Sequence, residues 1–296
     1  MTSSQFKTIG LIGKYGDKGV SDTLLTLHGF LCKEQLRVIT DDETASMLSS
    51  ATVETGSRKD IGEHCDLAIV IGGDGTLLNA ARSLADYEVP LAGINLGHLG
   101  FLTDISPDDM CEAIAEILRG NFQTEERFLL ECRVDRSGEY VHIANALNEV
   151  VVYKWNVARM IELETYIDEK FVHKLRADGL IIATPTGSTA YSLSAGGPIV
   201  HPALDATVIV PICPHSMNNR PLVISSDSTT EVVVCASTQN HARVTCDGQV
   251  NFELLAGDRV EIARKPHPIR LLHLPNHNHF ELLRAKLHWA ETPTRP

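Results

Sequence analysis

The sequence predicts an α/β N-terminal domain, a parallel sheet with crossover helices, followed by an all-β, sandwich-like C-terminal domain. Two observations predict it. Up to about residue 120, apolar runs of strand length alternate with stretches of helical periodicity, as strands joined by crossover helices require. From residue 128 onward, β-rich runs recur at strand-like spacing with no convincing helix between them, which suits an antiparallel sandwich. The expected organisation is an α/β domain at 1–124, a β domain at 125–275 and a final helix within 276–296 that packs back on the first domain.

Residues 7–12 read as a first buried strand. Val20, Leu24, Leu27 and Leu31 follow at the spacing of one helix face. Residues 36–39 form a second strand, and the polar stretch 40–60 has room for a short helix. A strand at 67–71, a glycine turn, a helix over about 76–87 and a strand at 90–94 come next. In such sheets ligands sit beyond the carboxyl ends of the strands, where Asp74 and the loop 95–101 fall. Ser106-Pro107-Asp108-Asp109 opens a further helix, with serine as cap and proline in the first turn. Met110, Ile114, Ile117 and Leu118 give its apolar side, Gly120 ends it, and 121–127 reads as a linker.

The β-rich runs lie at 128–135, 141–153, 160–167, 171–175, 180–183, 207–212, 221–225, 231–236, 242–246, 258–263 and 268–274. Leu282, Leu283, Ala285 and Leu287 mark the closing helix, 280–289. The chain has no internal repeat or low-complexity segment.

Composition narrows the function classes. With 26 basic and 38 acidic residues in 296 the net charge is −12, which argues against nucleic acid or an anionic membrane as partner. A local basic pocket for a phosphorylated small molecule remains compatible. No apolar run approaches the ~20 residues of a membrane helix, and the N-terminal apolar stretch is too short for a signal peptide. The seven cysteines are scattered without a Cys-x-x-Cys, so neither a disulfide framework nor a zinc site is expected and a reducing cytoplasm fits.

Chemistry concentrates first in Gly72-Gly73-Asp74-Gly75-Thr76, between the apolar run 67–71 and Leu77-Leu78-Asn79-Ala80-Ala81-Arg82. A strand–glycine–helix turn gathers free N–H groups and the positive end of a helix dipole, which favours a phosphate. Asp74 is unexpected there, because a carboxylate repels phosphate. It reads either as a group used in chemistry or metal binding, or as an ordinary capping aspartate.

The second informative block runs from 174 to 200. Its hydroxyl residues and glycines between Thr184 and Gly197 offer many small donors suited to sugar hydroxyls and phosphate oxygens. Tyr191 in their midst suits stacking on a base. Arg176 and Asp178 stand two apart and are expected on one strand face, either to hold ligand groups or as a surface ion pair. Asn148-Glu149 interrupts the apolar run 143–152, a costly placement unless a ligand, a turn or a cross-strand hydrogen bond supplies partners.

Other patterns carry less. His267, His273, His277 and His279 crowd together, but no cysteine or acid stands at ligand spacing nearby, so they are expected to form a polar loop before the last helix. Gly10-x-x-Gly13-x-x-Gly16 lacks the dinucleotide spacing and reads as a turn. There is no Gly-x-x-x-x-Gly-Lys-Ser/Thr loop, hence no P-loop kinase.

Gly72 to Thr76 resembles the Gly-Gly-Asp-Gly-Thr signature of a superfamily that includes NAD kinases, 6-phosphofructokinases and diacylglycerol or sphingosine kinases. The block from Asp178 to Val200 narrows the resemblance to the NAD kinase family. So do residues 96–103 (Leu-Gly-His-Leu-Gly-Phe-Leu-Thr), Asn148-Glu149, residues 211–216 with Arg220-Pro221-Leu222, and Asp247-Gly248-Gln249.

The resemblance implies a phosphofructokinase-like α/β domain and a β-sandwich domain with the site between them. It implies transfer of a phosphoryl group from ATP, or polyphosphate, to the 2′-hydroxyl of the NAD adenosine ribose. Asp74 would be the proton acceptor, Gly72, Gly73, Gly75 and Thr76 the phosphate loop, and Mg²⁺ or Mn²⁺ would be carried mainly by donor phosphates. Asp74, Gly75, Asn148, Glu149, Arg159, Arg176, Asp178, Thr189, Ala190, Tyr191, Ser192, Leu193, Ser194 and Gln249 match NAD-contacting positions. A cytoplasmic homodimer or homotetramer is the expected assembly. Two competing readings are a kinase of the same superfamily acting on a lipid or sugar phosphate, and a non-catalytic NAD(P) sensor.

Overall fold

The computed structural model describes residues 6–14, 16, 18–46, 48, 53–97, 99–155, 159–216, 218–236 and 242–289. Contacts divide the chain into two units, Met1–Glu126 with Ile269–Pro296, and Arg127–Pro268.

The first unit contains β1 (Thr8–Gly13), α1 (Lys18–Lys33), β2 (Arg37–Asp41), α2 (Asp42–Ala45), β3 (Glu54–Gly56), α3 (Arg58–His64), β4 (Leu67–Gly72), α4 (Asp74–Ser83), β5 (Leu91–Asn95), α5 (Met110–Leu118) and β6 (Gln123–Arg127). The second contains β7 (Leu130–Arg136), β8 (Glu139–Ala146), β9 (Glu149–Lys154), β10 (Ile161–Ile167), β11 (Lys170–Ala177), β12 (Gly179–Ala183), a 3-10 turn at Gly187–Thr189, α6 (Tyr191–Ser194), β13 (Ala206–Ile212), β14 (Leu222–Ser225), β15 (Thr230–Val234), β16 (Ala242–Cys246), β17 (Val250–Leu254) and β18 (Arg259–Arg264). The chain then returns to the first unit with β19 (Ile269–His273) and α7 (His279–Leu287).

The first unit is a seven-stranded sheet of order β3-β2-β1-β4-β5-β19-β6. Its central strands pair in parallel, for example Leu11 with Ile69 and Ile71 with Ile94. Helices cover such a sheet, so β4 and β5 are buried at every position. Val20, Leu24, Leu27 and Leu31 of α1 are fully buried in that core, as their spacing predicts.

Several boundaries differ from the sequence reading. The stretch 40–60 holds the end of β2, all of α2 and β3, and the start of α3. The supposed linker at 121–127 contains the edge strand β6. Strand 268–274, expected with the β-rich runs, lies between β5 and β6 in the first sheet, because Leu271 pairs in parallel with Leu91. Ser106 caps a turn through Asp108 N–H (3.3 Å), and α5 itself starts later, at Met110. The helix expected at 76–87 starts earlier, with Asp74 as its first residue, and ends at Ser83.

The second unit has two antiparallel six-stranded sheets, β11-β10-β15-β18-β7-β8 and β14-β13-β12-β9-β16-β17. One core cluster draws on both, with Cys132, Val134, Leu163 and Val260 from the first sheet and Val150, Val152, Leu180 and Ile182 from the second. That is the interleaving of a sandwich. Alternate residues of the second sheet, Val151, Ile181, Val208 and Val210, face outward yet are also buried, together with Val200. Sequence reading missed β17, and it placed no helical turn in the stretch 184–197. All seven cysteines are free, and no helix among the described residues is long and apolar enough to cross a membrane.

Candidate active site

Asp74 is placed by β4 and α4. The strand ends at Gly72, Gly73 is the extended N-cap residue without a side-chain bond, and Asp74 opens the helix. The turn is tight: a Cβ on Gly72 would stand 2.4 Å from Thr76 Oγ1. Nothing lies within 4 Å of a Cβ built on Gly73, so that backbone faces open space at the positive end of a ten-residue helix.

The carboxylate of Asp74 is held by the loop after β5. Leu102 N–H (3.0 Å), Thr103 N–H (3.2 Å) and Thr103 Oγ1 (3.1 Å) donate to Oδ1, and Phe101 N–H (2.9 Å) donates to Oδ2. Oδ1 is saturated while Oδ2 keeps acceptor capacity. Asp74 is thus neither a cap of its own helix nor a surface charge; it is a clamped acceptor beside the open backbone of Gly73. His98, in the same loop motif, lies outside the described residues.

In the second unit the centre is the turn between β16 and β17. Asp247 Oδ1 accepts from Asn148 N–H (2.8 Å) and Glu149 N–H (3.2 Å), and Oδ2 accepts from Leu147 N–H (3.0 Å). The bond is reciprocated by Asp247 N–H to Glu149 C=O (2.9 Å). A buried aspartate therefore fixes the backbone at Asn148-Glu149. Thr184 Oγ1 binds Leu147 C=O (2.6 Å), and its N–H binds Asn148 C=O (2.9 Å). Gly187 packs so closely that a Cβ would meet Asn148 O at 2.1 Å. The strand end 147–149 is held from both sides.

Glu149 is buried, and its Oε2 has no hydrogen-bond partner. Burial first, and the neighbouring Asp247 second, push its carboxyl up to about 8. An acid of this kind at a strand end is ready for a ligand's hydroxyls or amines. Asn148 is half-buried, and its side chain has no hydrogen-bond partner among the described residues. Gln249 is exposed on the same turn as Asp247.

Thr189 to Ser194 follow as the end of the 3-10 turn and α6. Ser192 is fully buried, whereas Tyr191 is 46% exposed, enough of its ring to stack on a ligand. Burial first, then Cys213, Asp178 and Glu149, push the Tyr191 phenol up, so these groups share one electrostatic neighbourhood. Ser188 Oγ binds Pro185 C=O and accepts from Val200 N–H (2.9 Å), which closes the loop over the outer face of the sheet.

Arg176 and Asp178 do not share a strand face. Arg176 is exposed on β11 and pairs with Glu162 (3.5 Å). Asp178 lies past the end of β11, where the chain crosses to β12 of the other sheet, and pairs with Lys154 (2.6 Å). The sheet change between them overrides the two-residue period. Arg159 is exposed in the segment before β10.

Three contributors escaped the site list read from the sequence: Asp247, Thr184 and the donor loop Phe101 to Thr103. Their motifs were visible, but their work is done across long sequence separations. The expected polar loop of histidines is also different in kind. Asp104 reaches His273 and His277, giving the one cluster of metal-ligand spacing among the described residues.

Comparison with known proteins shows which family the chain resembles. The family described as ATP-NAD kinase N-terminal domain matches residues 9–122, and ATP-NAD kinase C-terminal domain matches 147–274. The chain is 50% identical over 286 residues to the NAD kinase of Pseudomonas entomophila, with 97% of each chain covered. It is 49% identical over 286 residues to that of Pseudomonas putida F1, with the same coverage. Among solved structures, the NAD kinase from Archaeoglobus fulgidus in complex with ATP aligns with TM-score 0.75 and 26% identity, over 95% of this chain and 98% of that one. Yeast NADH kinase complexed with NADH shares the fold, with TM-score 0.90 at 23% identity, over 98% of this chain and 90% of that one.

Proposed function

The chain belongs to the NAD kinase family and is an NAD-phosphorylating transferase, and on that premise we propose how its residues divide the work. ATP donates the phosphoryl group, and the acceptor is the 2′-hydroxyl of the adenosine ribose. Asp74 accepts the proton of that hydroxyl on Oδ2, the oxygen with spare acceptor capacity. The single observation that carries this reading is the clamp on Asp74: four donors fix a carboxylate at a glycine turn that is open at Gly73. Phosphoryl transfer needs positioning and charge stabilisation more than covalent help, and a positioned base contributes roughly 10²–10⁴ in rate.

The open backbone of Gly73 and the N-terminus of α4 receive donor phosphate oxygens. Asn148 and Glu149 take the adenosine end of NAD, with Tyr191 against the base and Thr189, Ser194 and Gln249 offering further polar contacts. Asp178, Arg176 and Arg159 are assigned NAD contacts on the family pattern, and the exposure of both arginines leaves them accessible to a phosphate, on this chain or another. A divalent cation, Mg²⁺ or Mn²⁺, supplies neutralisation of donor phosphate charge. Asp74 is the one carboxylate of the Gly72–Thr76 turn and is already clamped, which fits a cation carried by the phosphates. A cytoplasmic homo-oligomer is the assembly consistent with this reading.

The test is NADP formation by the purified chain with NAD and Mg²⁺, run side by side with ATP and with polyphosphate, and with NAD, sugar-phosphate and lipid acceptors. NADP with ATP is expected. ADP release only with another acceptor, or tight NADPH binding without turnover, would overturn it.

A further inference from the structure

We propose that Asp104, His273 and His277 form a binding site for one divalent transition-metal ion of the zinc class, separate from any cation carried by donor phosphates. The three side chains come from two distant stretches of the first unit. Asp104 follows the loop that clamps Asp74, His273 ends β19, and His277 lies in the turn before α7. The turn is closed by His277 N–H to Leu274 C=O (3.0 Å), which stacks the two imidazoles with centroids 3.8 Å apart.

Both imidazoles aim the same nitrogen at one oxygen. His273 Nδ1 is 2.8 Å and His277 Nδ1 2.6 Å from Asp104 Oδ2, and one ligand atom from each residue lies within 4.8 Å of the others. Asp104 Oδ1 and His277 Nε2 are buried without a hydrogen-bond partner. Two stacked rings converge on one carboxylate oxygen while Asp104 Oδ1 and His277 Nε2 stay unpaired beside them, so the same atoms that hydrogen-bond each other also make a compact ligand set. His-x-x-x-His with a distant carboxylate is zinc-type spacing and donor chemistry, and two nitrogens with one oxygen leave a fourth position for water.

The fit requires only a small opening. Tetrahedral zinc with bonds of ~2.0–2.1 Å sets ligand atoms about 3.3 Å apart, so each nitrogen must withdraw from Asp104 by about half an ångström or slightly more. A cavity of about 320 Å³ adjoins the cluster, lined by Asp104, His277, Asn276, Asn278 and Glu281 among others. Glu125 Oε2, 3.4 Å from His273 Nε2, stands where an outer carboxylate orients a ligating imidazole.

The consequence reaches the active site. Thr103, which gives two hydrogen bonds to Asp74, is the residue before Asp104. A metal on Asp104 ties the 101–104 loop to the segment 273–277 and so steadies the clamp. Asp104, His273 and His277 are positioning residues in this scheme.

The test uses the full chain, stripped with a chelator and titrated with Zn²⁺ or with Co²⁺ in the absence of ATP. One ion per chain, a rise in Tm, and visible cobalt absorption of tetrahedral intensity with nitrogen ligands are expected. His277→Gln and Asp104→Asn should lose affinity by more than the ~10–100-fold that outer-shell changes cost, while the exposed His267→Gln keeps it. Binding of much less than one ion per chain overturns the proposal. So does cobalt absorption of octahedral type or with thiolate charge-transfer bands, or zinc affinity unchanged in His277→Gln. The wild-type cobalt spectrum decides the matter even if a variant fails to fold.

Discussion

Asp74 and Gly100 occupy space that only one of them can fill: a Cβ on Gly100 would lie 2.0 Å from Asp74 Oδ1 and 2.5 Å from Thr103 Oγ1. The glycine is what lets the loop after β5 close on the carboxylate. Gly100→Ala must therefore push the clamp open. It should lower kcat by about 10²-fold, the cost of misplacing a reacting group by roughly 1 Å, with little change in NAD affinity. Steady-state NADP formation and calorimetric NAD binding on the same preparation check this; unchanged kcat would mean that the clamp does not position the base.

Asp74→Asn tests the base itself. An amide cannot accept from Phe101 N–H and from the Oδ1 donors with both of its heavy atoms, so one donor is left facing an NH₂. Stability should fall by about 1–3 kcal/mol, seen in Tm. Turnover should fall by roughly 10²–10⁴, with NAD affinity changed far less. Turnover near the parent value would remove Asp74 from the role.

Asp247→Ala should separate binding from chemistry in the other unit. It strips three backbone N–H groups of their acceptor and places alanine at φ 51, a left-handed conformation that aspartate tolerates better. Each buried N–H left unpaired costs about 1–3 kcal/mol, though not additively. KM for NAD should rise at least about tenfold, and Asp247→Asn, which retains an acceptor and suits that φ, should recover part of the loss.

Glu149 makes stability depend on pH with a stated sign. Its carboxyl is raised to about 8 in the folded chain, so between the ordinary carboxylate range and pH 8 the folded state holds a proton that the unfolded state has lost. Stability contributed by the protonated form is complete at pH 4 and is lost as pH rises to about 8, with a slope of up to about 1.4 kcal/mol per pH unit. Glu149→Gln should abolish that part of the slope in ligand-free denaturation curves. Equal slopes for parent and variant over pH 5–8 would show that Glu149 does not hold the proton.

The sequence by itself determined the strand, the glycine turn and the helical stretch around Asp74. The apolar run 67–71, the glycines and the following helical stretch are written within seventeen residues of each other, and turn chemistry and burial periodicity act over that range. The same holds for the β-rich texture of the second unit and for Asn148-Glu149 as a costly interruption. The motif set is specific enough to point to the family.

What holds each group was decided by tertiary structure. The donors to Asp74 lie 27 to 29 residues away, the acceptor for Asn148 N–H lies 99 away, and Asp104 finds His273 across 169. No period in a sequence encodes such partners, because they depend on which strand ends the sheets bring together. The placement of β19 between β5 and β6 carries His273 to Asp104. The crossing from β11 to β12 separates Arg176 from Asp178. Local propensity writes the strand, the turn and the helix; pairing at long range decides what each carboxylate can do.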